Sequence, residues 1–221
     1  MVHSKIFLKF NIQEDYKYPV FLISLVLFLF VPSFFNSPLK DVITNILFII
    51  LILSSLLLIH TKRKFKRRII ISIGIIGLGS EIYDRMISPL GDKIQPIFLI
   101  LLFFYFIILT QELISQVINS LKITVNVILG AFTGYILLGI NSFFIFKVIH
   151  ILDSKSFELA GNVSSELLYF SFVTLTTIGY GDINPISEPA RNFAVIVGLT
   201  GQFYIGILMA IIIGKFLQGS K

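Results

Sequence analysis

Six long runs of apolar residues limit what this chain can fold into. Each is close to the roughly 20 residues that a helix needs to cross the hydrocarbon core of a bilayer. More than half of the 221 residues are hydrophobic (56%) and only 14% are charged, which is more apolar surface than a water-soluble domain of this size could bury. The sequence therefore predicts an all-α membrane protein with six transmembrane helices, over residues 19–35, 42–59, 69–87, 94–110, 123–149 and 189–216.

A seventh apolar run, over about 166–177, is too short to span a membrane. It lies between the fifth and sixth predicted spans. Such a segment is expected to enter the membrane and return on the same side, as a re-entrant helix followed by a loop.

The basic residues predict how the chain is oriented. The run 62–68 (KRKFKRR) holds six of the eighteen Lys and Arg residues, whereas the 36–41 and 88–93 connections hold one lysine each. Loops rich in Lys and Arg stay on the cytoplasmic side. We therefore expect both termini to be cytoplasmic and the 150–188 region to be external. The remaining basic residues on the cytoplasmic side are Lys5, Lys9, Lys17, Lys215 and Lys221.

The run Lys62–Arg68 has two interpretations. As a determinant of topology it needs no partner. Its positive charge could also bind anionic lipid, at roughly 1 kcal/mol for each basic residue near such a surface. Its position between two apolar runs argues against nucleic acid as a partner.

Residues 111–122 show helical periodicity with polar and apolar residues on opposite sides. The apolar positions are Leu113, Ile114, Val117, Ile118 and Leu121. This pattern predicts an amphipathic interfacial helix that lies in the membrane plane. The chain then divides into a four-span block (1–110), a linker helix (111–122) and a two-span unit with the re-entrant segment (123–217).

The segment TTIGYGD, residues 176–182, carries the chemical information. Successive carbonyls of an ordinary strand point to opposite sides, so such a strand cannot line one axis with oxygens. Alternation of right-handed and left-handed residues turns the carbonyls to one side. The left-handed conformation costs an ordinary residue about 1–2 kcal/mol but is nearly free for glycine. The Gly179-x-Gly181 spacing suits that geometry, with the Thr177 hydroxyl at the inner end and the Asp182 carboxylate at the outer mouth.

This segment resembles the T-x-G-Y-G filter signature of the potassium-channel superfamily. The resemblance covers about 95 residues, from the fifth span to the sixth. It implies that the carbonyls of Thr177, Ile178, Gly179 and Tyr180, with the Thr177 hydroxyl, form the K⁺ sites, and that Gly181 completes the filter. Since one filter strand cannot encircle an ion, it also implies a homotetramer with the pore on the axis between subunits. Ile178 and Tyr180 are expected to point away from that axis and to pack against the short helix.

The resemblance implies roles for further residues. Thr176 would end the pore helix and face the cavity, and Tyr169 and Phe170 match the aromatic cuff around the filter. Gly201, with Gly198 nearby, lies at the spacing of an inner-helix gating hinge; the alternative is that these glycines permit close packing of helices. Well-studied bacterial members have a glutamate where this chain has Val173, so the resemblance supplies no partner for Asp182.

The layout of four spans before a pore unit is similar to that of voltage-gated channels, but the fourth span, 94–110, has no Lys or Arg. The membrane potential changes the energy of a charge that crosses the membrane by about 2.3 kcal/mol per 100 mV, and this span has no basic residue on which it can act. We expect a K⁺ channel of the plasma (inner) membrane that is not strongly voltage-dependent. The alternatives are a non-selective cation channel or a non-conducting regulatory subunit.

Neither enzymatic motifs nor a cofactor site is expected in this chain. The three histidines are isolated and cysteine is absent. H-E-x-x-H, G-x-G-x-x-G and paired-carboxylate patterns are also missing. The expected ligand is K⁺ as the permeant ion.

Overall fold

The computed structural model describes residues 16–36, 39–59, 71–77, 95–120 and 123–219, together with Arg68 and Gly79. The described part is helical and contains no β-strand. It has six named α-helices, and the first is followed by a 3₁₀ turn, Val31–Phe34. The predicted all-α membrane fold class is confirmed. The helices are α1 (Lys17–Phe30), α2 (Leu39–Ser55), α3 (Gln95–Ile118), α4 (Val125–Leu152), α5 (Val163–Leu175) and α6 (Glu188–Gly219).

Four stretches of the described residues are long and apolar enough to cross a membrane: Lys17–Phe34, Pro96–Ile118, Val125–Leu152 and Glu188–Lys215. They correspond to the first, fourth, fifth and sixth predicted spans. The second predicted span is α2, whose 17 residues extend about 26 Å. The protein is thus a multi-pass membrane protein.

The third predicted span lies mostly outside the described residues. Residues 71–77 are helical. Gly74 and Gly77 of this stretch lie close to the Tyr105 ring and the Leu102 side chain of α3. The basic run lies outside the described residues too, except for Arg68.

The fourth span continues without a break into the first part of the predicted linker helix. The structure has one helix of 24 residues, from Gln95 to Ile118, where the sequence predicted a span followed by a separate in-plane helix. The apolar face of the linker docks on protein: Leu113 and Val117 are buried and lie against Gly134 and Gly130 of α4. The prediction of a separate helix was wrong because an amphipathic pattern does not reveal whether its apolar face meets lipid or a neighbouring helix.

The first three named helices and α4 share one apolar core, and buried hydroxyl and amide groups link them. The Ser24 and Ser54 hydroxyls lie 2.6 Å apart between α1 and α2. The Asn141 amide of α4 donates to the Thr110 hydroxyl of α3 at 2.9 Å and to its own helix at Leu137 O at 2.8 Å. Such hydrogen bonds between helices join spans that gain little from hydrophobic burial inside a bilayer.

The two ends of the helical bundle carry different connections. At one end, Pro32 and Lys40 line a cavity of about 550 Å³ together with Asn162 and Ser165 at the start of α5. The α1–α2 connection therefore lies at the same end as the start of α5, as two connections predicted to be external should. At the other end, Lys215 near the end of α6 donates to the carbonyls of Ile118 and of Ser120, the latter at 2.7 Å.

Candidate functional site

The short helix α5 is held at its start by an N-cap. The Asn162 Oδ1 accepts a hydrogen bond from the Ser165 backbone N–H at 3.1 Å, which satisfies one of the free donors of the first turn. Glu166, in the same turn, accepts from the Ala160 N–H at 3.0 Å. Asn162 is thus the N-cap of α5. The helix begins at Val163, three residues before the apolar run on which it was predicted.

Left-handed residues alternate along the segment after α5. Thr177, Gly179 and Gly181 have φ angles of 57°, 59° and 81°, and Thr177 is the single non-glycine residue with positive φ in the described part of the chain. The expected alternation is therefore present. It begins at Thr177, two residues before the first of the two glycines. A β-branched residue rarely adopts this conformation, so contacts around Thr177 must compensate for about 1–2 kcal/mol.

Backbone hydrogen bonds tie the inner half of this segment to the end of α5. The Thr177 N–H donates to Thr174 O at 3.0 Å. The Ile178 and Gly179 N–H groups both donate to Val173 O, at 3.0 and 3.4 Å. These donors use carbonyls that a helix end otherwise leaves free. Val173 thus binds this segment through its backbone carbonyl, a role that cannot be predicted from its side chain.

Thr176 forms the C-cap of α5, which is where the pore helix was expected to end. Its hydroxyl donates to Phe172 O at 2.7 Å, within its own helix. Its expected position facing a cavity stays a prediction.

The Thr177 hydroxyl receives a hydrogen bond from the last helix. The Gln202 Nε2 of α6 donates to Thr177 Oγ1 at 2.9 Å. Sequence reasoning did not identify Gln202. The available signal was a single amide side chain in the apolar middle of a spanning helix, where polar groups are costly unless they have partners.

The side chains of Ile178 and Tyr180, which were expected to pack against the short helix, are both exposed in the single chain, and their expected packing stays a prediction. In the single chain 53% of Ile178 and 70% of Tyr180 is exposed. These two side chains belong to the short segment that follows α5, and they lie on the surface of the chain. Much of their apolar surface is therefore left uncovered in the single chain.

Asp182 has a partner at the outer end of the segment. The Tyr169 phenol of α5 lies close enough to the Asp182 carboxylate for a hydrogen-bonding interaction, and this interaction raises the pKa of Tyr169 above its ordinary value of about 10. Partial burial and the negative charge of Asp182 raise this pKa further. The phenol is thus protonated and able to donate at neutral pH. The bond is lost only as the pH rises through that elevated pKa.

We expect Tyr169→Phe to reduce sustained ion flux severalfold, because the Asp182 carboxylate loses its interaction with the Tyr169 hydroxyl at the outer end of residues 177–182. The measurement is flux from liposomes that contain the purified variant, taken at high and at low K⁺. The matched control is Tyr16→Phe, since Tyr16 is an exposed tyrosine at the start of α1. Equal flux from Tyr169→Phe and the control at both concentrations would show that the phenol does not hold the outer end.

The loops on either side of the filter pair with each other at the outer end. Phe157 and Pro185 form an isolated antiparallel bridge, and the Ile186 N–H donates to Ser156 O at 2.8 Å. Phe157 is buried between Phe146 of α4 and Phe170 of α5, with ring centroids 5.6 and 5.5 Å away. Phe170, expected in an aromatic cuff, thus packs behind the filter segment in its own chain.

The glycines of α6 differ in how closely the chain approaches them. A Cβ at Gly201 would lie 1.9 Å from the Leu175 carbonyl oxygen at the end of α5. A Cβ at Gly198 would lie 3.7 Å from Thr174 O, an ordinary contact, and one at Gly206 would meet nothing within 4 Å. Two roles were left open for Gly201, a gating hinge and close packing of helices. The contact with Leu175 requires close packing at this position.

Residues 123–218 match a family described as ion channels, over the segment from α4 to the end of α6. Three potassium channels are similar over part of the chain. The voltage-gated potassium channel Kch of Escherichia coli (strain K12) is 43% identical over 51 residues, which is 23% of this chain and 12% of the relative. Two-pore potassium channel 5 of Arabidopsis thaliana is 40% identical over 53 residues, which is 24% of this chain and 13% of the relative. Two pore potassium channel c of Oryza sativa subsp. japonica is 44% identical over 46 residues, which is 21% of this chain and 10% of the relative.

These matches confirm the resemblance to the potassium-channel superfamily. The matched segments span only 10 to 13% of the length of these curated relatives. No solved structure matches the chain.

Proposed function

We propose that this chain is one subunit of a homotetrameric, potassium-selective channel. The observation that carries the proposal is the alternation of left-handed residues at Thr177, Gly179 and Gly181. This segment follows a helix too short to span a membrane and lies between two spanning helices, α4 and α6. Irregular backbone of this kind is tolerated at membrane depth where it lines a water-filled path.

In the proposed mechanism, K⁺ exchanges its water shell for backbone carbonyls. The carbonyls of Thr177, Ile178, Gly179 and Tyr180 of each subunit line successive sites, with the Thr177 hydroxyl at the innermost one. A carbonyl oxygen is a suitable ligand for a hard, weakly hydrated cation, and ions in adjacent sites repel each other and move on. Asp182 at the outer mouth raises the local cation concentration. The protein provides a passive path with no covalent step.

The proposed tetramer is supported by surface that the single chain leaves uncovered. In the most apolar stretch of α6, 11% of the residues are buried, compared with 50% in α4. The exposed side chains of Ile178, Tyr180 and Phe203 (65%) lie on or near the filter segment. Four copies around one axis would cover this surface and complete the ring of carbonyls.

We propose further that opening does not depend steeply on voltage. The helix α3, Gln95–Ile118, contains no Lys or Arg to move in the field. Its end is instead joined to α6 through the Lys215 ammonium, which bonds the Ile118 and Ser120 carbonyls. A change in the four-span block can thus reach the inner helix through this contact.

We place the protein in the plasma (inner) membrane with both termini cytoplasmic. In this arrangement residues 1–110 form a sensor-like block without charges in its fourth span, and residues 123–217 form the pore unit. The Lys62–Arg68 run then faces the cytoplasmic leaflet, where it can bind anionic lipid. This placement follows from the distribution of Lys and Arg in the sequence.

The experiment is a flux assay in liposomes that contain the purified protein. Rubidium uptake that barium blocks, with sodium uptake near the level of empty liposomes, supports the proposal. Equal uptake of the two ions favours a non-selective cation channel. The absence of uptake of either ion, at any voltage or lipid composition, favours a non-conducting regulatory subunit.

A further inference from the structure

Gln202 is the residue of α6 whose polar side chain reaches the filter segment. The three polar side chains in the middle of this helix have different partners. The Thr200 hydroxyl donates to Ile196 O of its own helix at 2.7 Å, and the Tyr204 hydroxyl donates to Ala131 O of α4 at 2.6 Å. The Gln202 amide instead crosses to the Thr177 hydroxyl at 2.9 Å, 25 residues earlier in the chain.

The neighbouring residue explains why Gln202 can reach Thr177. Because Gly201 lacks a side chain, α6 approaches the Leu175 carbonyl more closely than any other residue type would permit. The same carbonyl accepts a hydrogen bond from the Tyr135 hydroxyl of α4 at 3.1 Å, which fixes it from the other side. The close approach at Gly201 places the next side chain, Gln202, against the start of the filter.

The hydrogen bond acts on the residue whose conformation is the most costly in the segment. Thr177 is β-branched and has a φ of 57°. A hydroxyl oxygen has two lone pairs. If Gln202 Nε2–H donates to one lone pair, the other lone pair stays available to a cation. The amide therefore holds the hydroxyl oxygen in one orientation without removing it as a ligand.

We propose that Gln202 is a positioning residue that determines ion selectivity at the innermost filter site by fixing the Thr177 hydroxyl. The proposal rests on the proposed potassium-channel function. It assigns to α6 a direct polar connection to the filter, so that a displacement of the inner helix changes the geometry of this site.

The test replaces the amide with an apolar side chain of similar size. We expect Gln202→Leu to lower the ratio of K⁺ to Na⁺ permeability by about fivefold, the factor that corresponds to one hydrogen bond of about 1 kcal/mol. The matched control is Thr200→Val, which removes a hydroxyl from the same helix two residues away. Because the Thr200 hydroxyl bonds its own helix, we expect this variant to keep the wild-type ratio.

A double-mutant cycle separates positioning from mere packing. The measured quantity is the rise in melting temperature of the detergent-solubilised protein when K⁺ replaces Na⁺, which requires binding but no conduction. We expect Gln202→Leu to reduce this rise in the wild-type background and in Thr177→Ser, where the hydroxyl is present. In Thr177→Val, where the hydroxyl is absent, Gln202→Leu should have no further effect.

Each outcome decides the question. A Gln202→Leu protein with the wild-type permeability ratio, or with the same loss of K⁺-dependent stabilisation in Thr177→Val as in wild type, would overturn the proposed role. If Thr177→Val does not fold, the Thr177→Ser arm decides, because loss of the Gln202→Leu effect there would contradict positioning through the hydroxyl. Wild-type protein that neither conducts K⁺ nor is stabilised by it rejects the proposed function itself.

Discussion

Replacing Gly179 with alanine should abolish K⁺ flux and leave the assembled protein intact. Gly179 has a φ of 59°, and a Cβ at this position would meet nothing within 4 Å in the chain. The requirement for glycine is thus conformational. Alanine favours negative φ by about 1–2 kcal/mol. The rotation that relieves this strain turns an adjacent carbonyl away from the ion path in each of four subunits.

The measurement pairs rubidium flux from liposomes with the elution volume of the purified protein. The control is Gly206→Ala, since a Cβ at Gly206 of α6 also meets nothing within 4 Å and its backbone is helical. We expect the control to conduct like the wild type. Persistent K⁺ flux through Gly179→Ala would mean that residues 177–181 do not form the ion path.

Replacing Gly201 with alanine should prevent correct folding or strongly destabilise the protein, by about 3 kcal/mol or more per chain. The added Cβ would lie 1.9 Å from Leu175 O and 2.9 Å from its carbonyl carbon. These are backbone atoms at the end of α5 and cannot rotate away. The contact can be relieved only if α6 and the filter segment move apart, which also removes the bond between Gln202 and Thr177.

The matched control is Gly198→Ala, whose Cβ would lie 3.7 Å from Thr174 O. We expect its melting temperature to stay near the wild-type value, while that of Gly201→Ala falls or no folded protein is recovered. A gating hinge at Gly201 makes a different prediction. In that case Gly201→Ala would fold normally with an altered open fraction, and this result would contradict the packing role.

The backbone geometry of residues 179–181 was predictable from sequence because it depends on local residue types. Glycine at 179 and 181 is what alternating left-handed backbone needs, and both residues have positive φ. The sixth predicted span, 189–216, begins close to its expected start, since α6 starts at Glu188 and the Ser187 hydroxyl accepts a hydrogen bond from the Ala190 N–H at 3.3 Å. Signals of this kind act over three or four residues, so they can be read without the fold.

Contacts between distant segments were not predictable. The hydrogen bond from Gln202 to Thr177 and the interaction between Tyr169 and Asp182 each join residues on different elements. The linker was misassigned for the same reason. Apolar residues at helical spacing identified a buried face at 113–117, but the partner of that face, α4, becomes visible only when the helices are packed.

The most direct measurement of the central claim is the reversal potential of wild-type protein in a planar bilayer, with K⁺ on one side and Na⁺ at equal concentration on the other. A potassium-selective filter predicts a reversal potential displaced towards the K⁺ equilibrium by about 59 mV for each factor of ten in selectivity. We expect a displacement of at least that size, and a smaller one for Gln202→Leu. A reversal potential at zero in the wild type would contradict potassium selectivity.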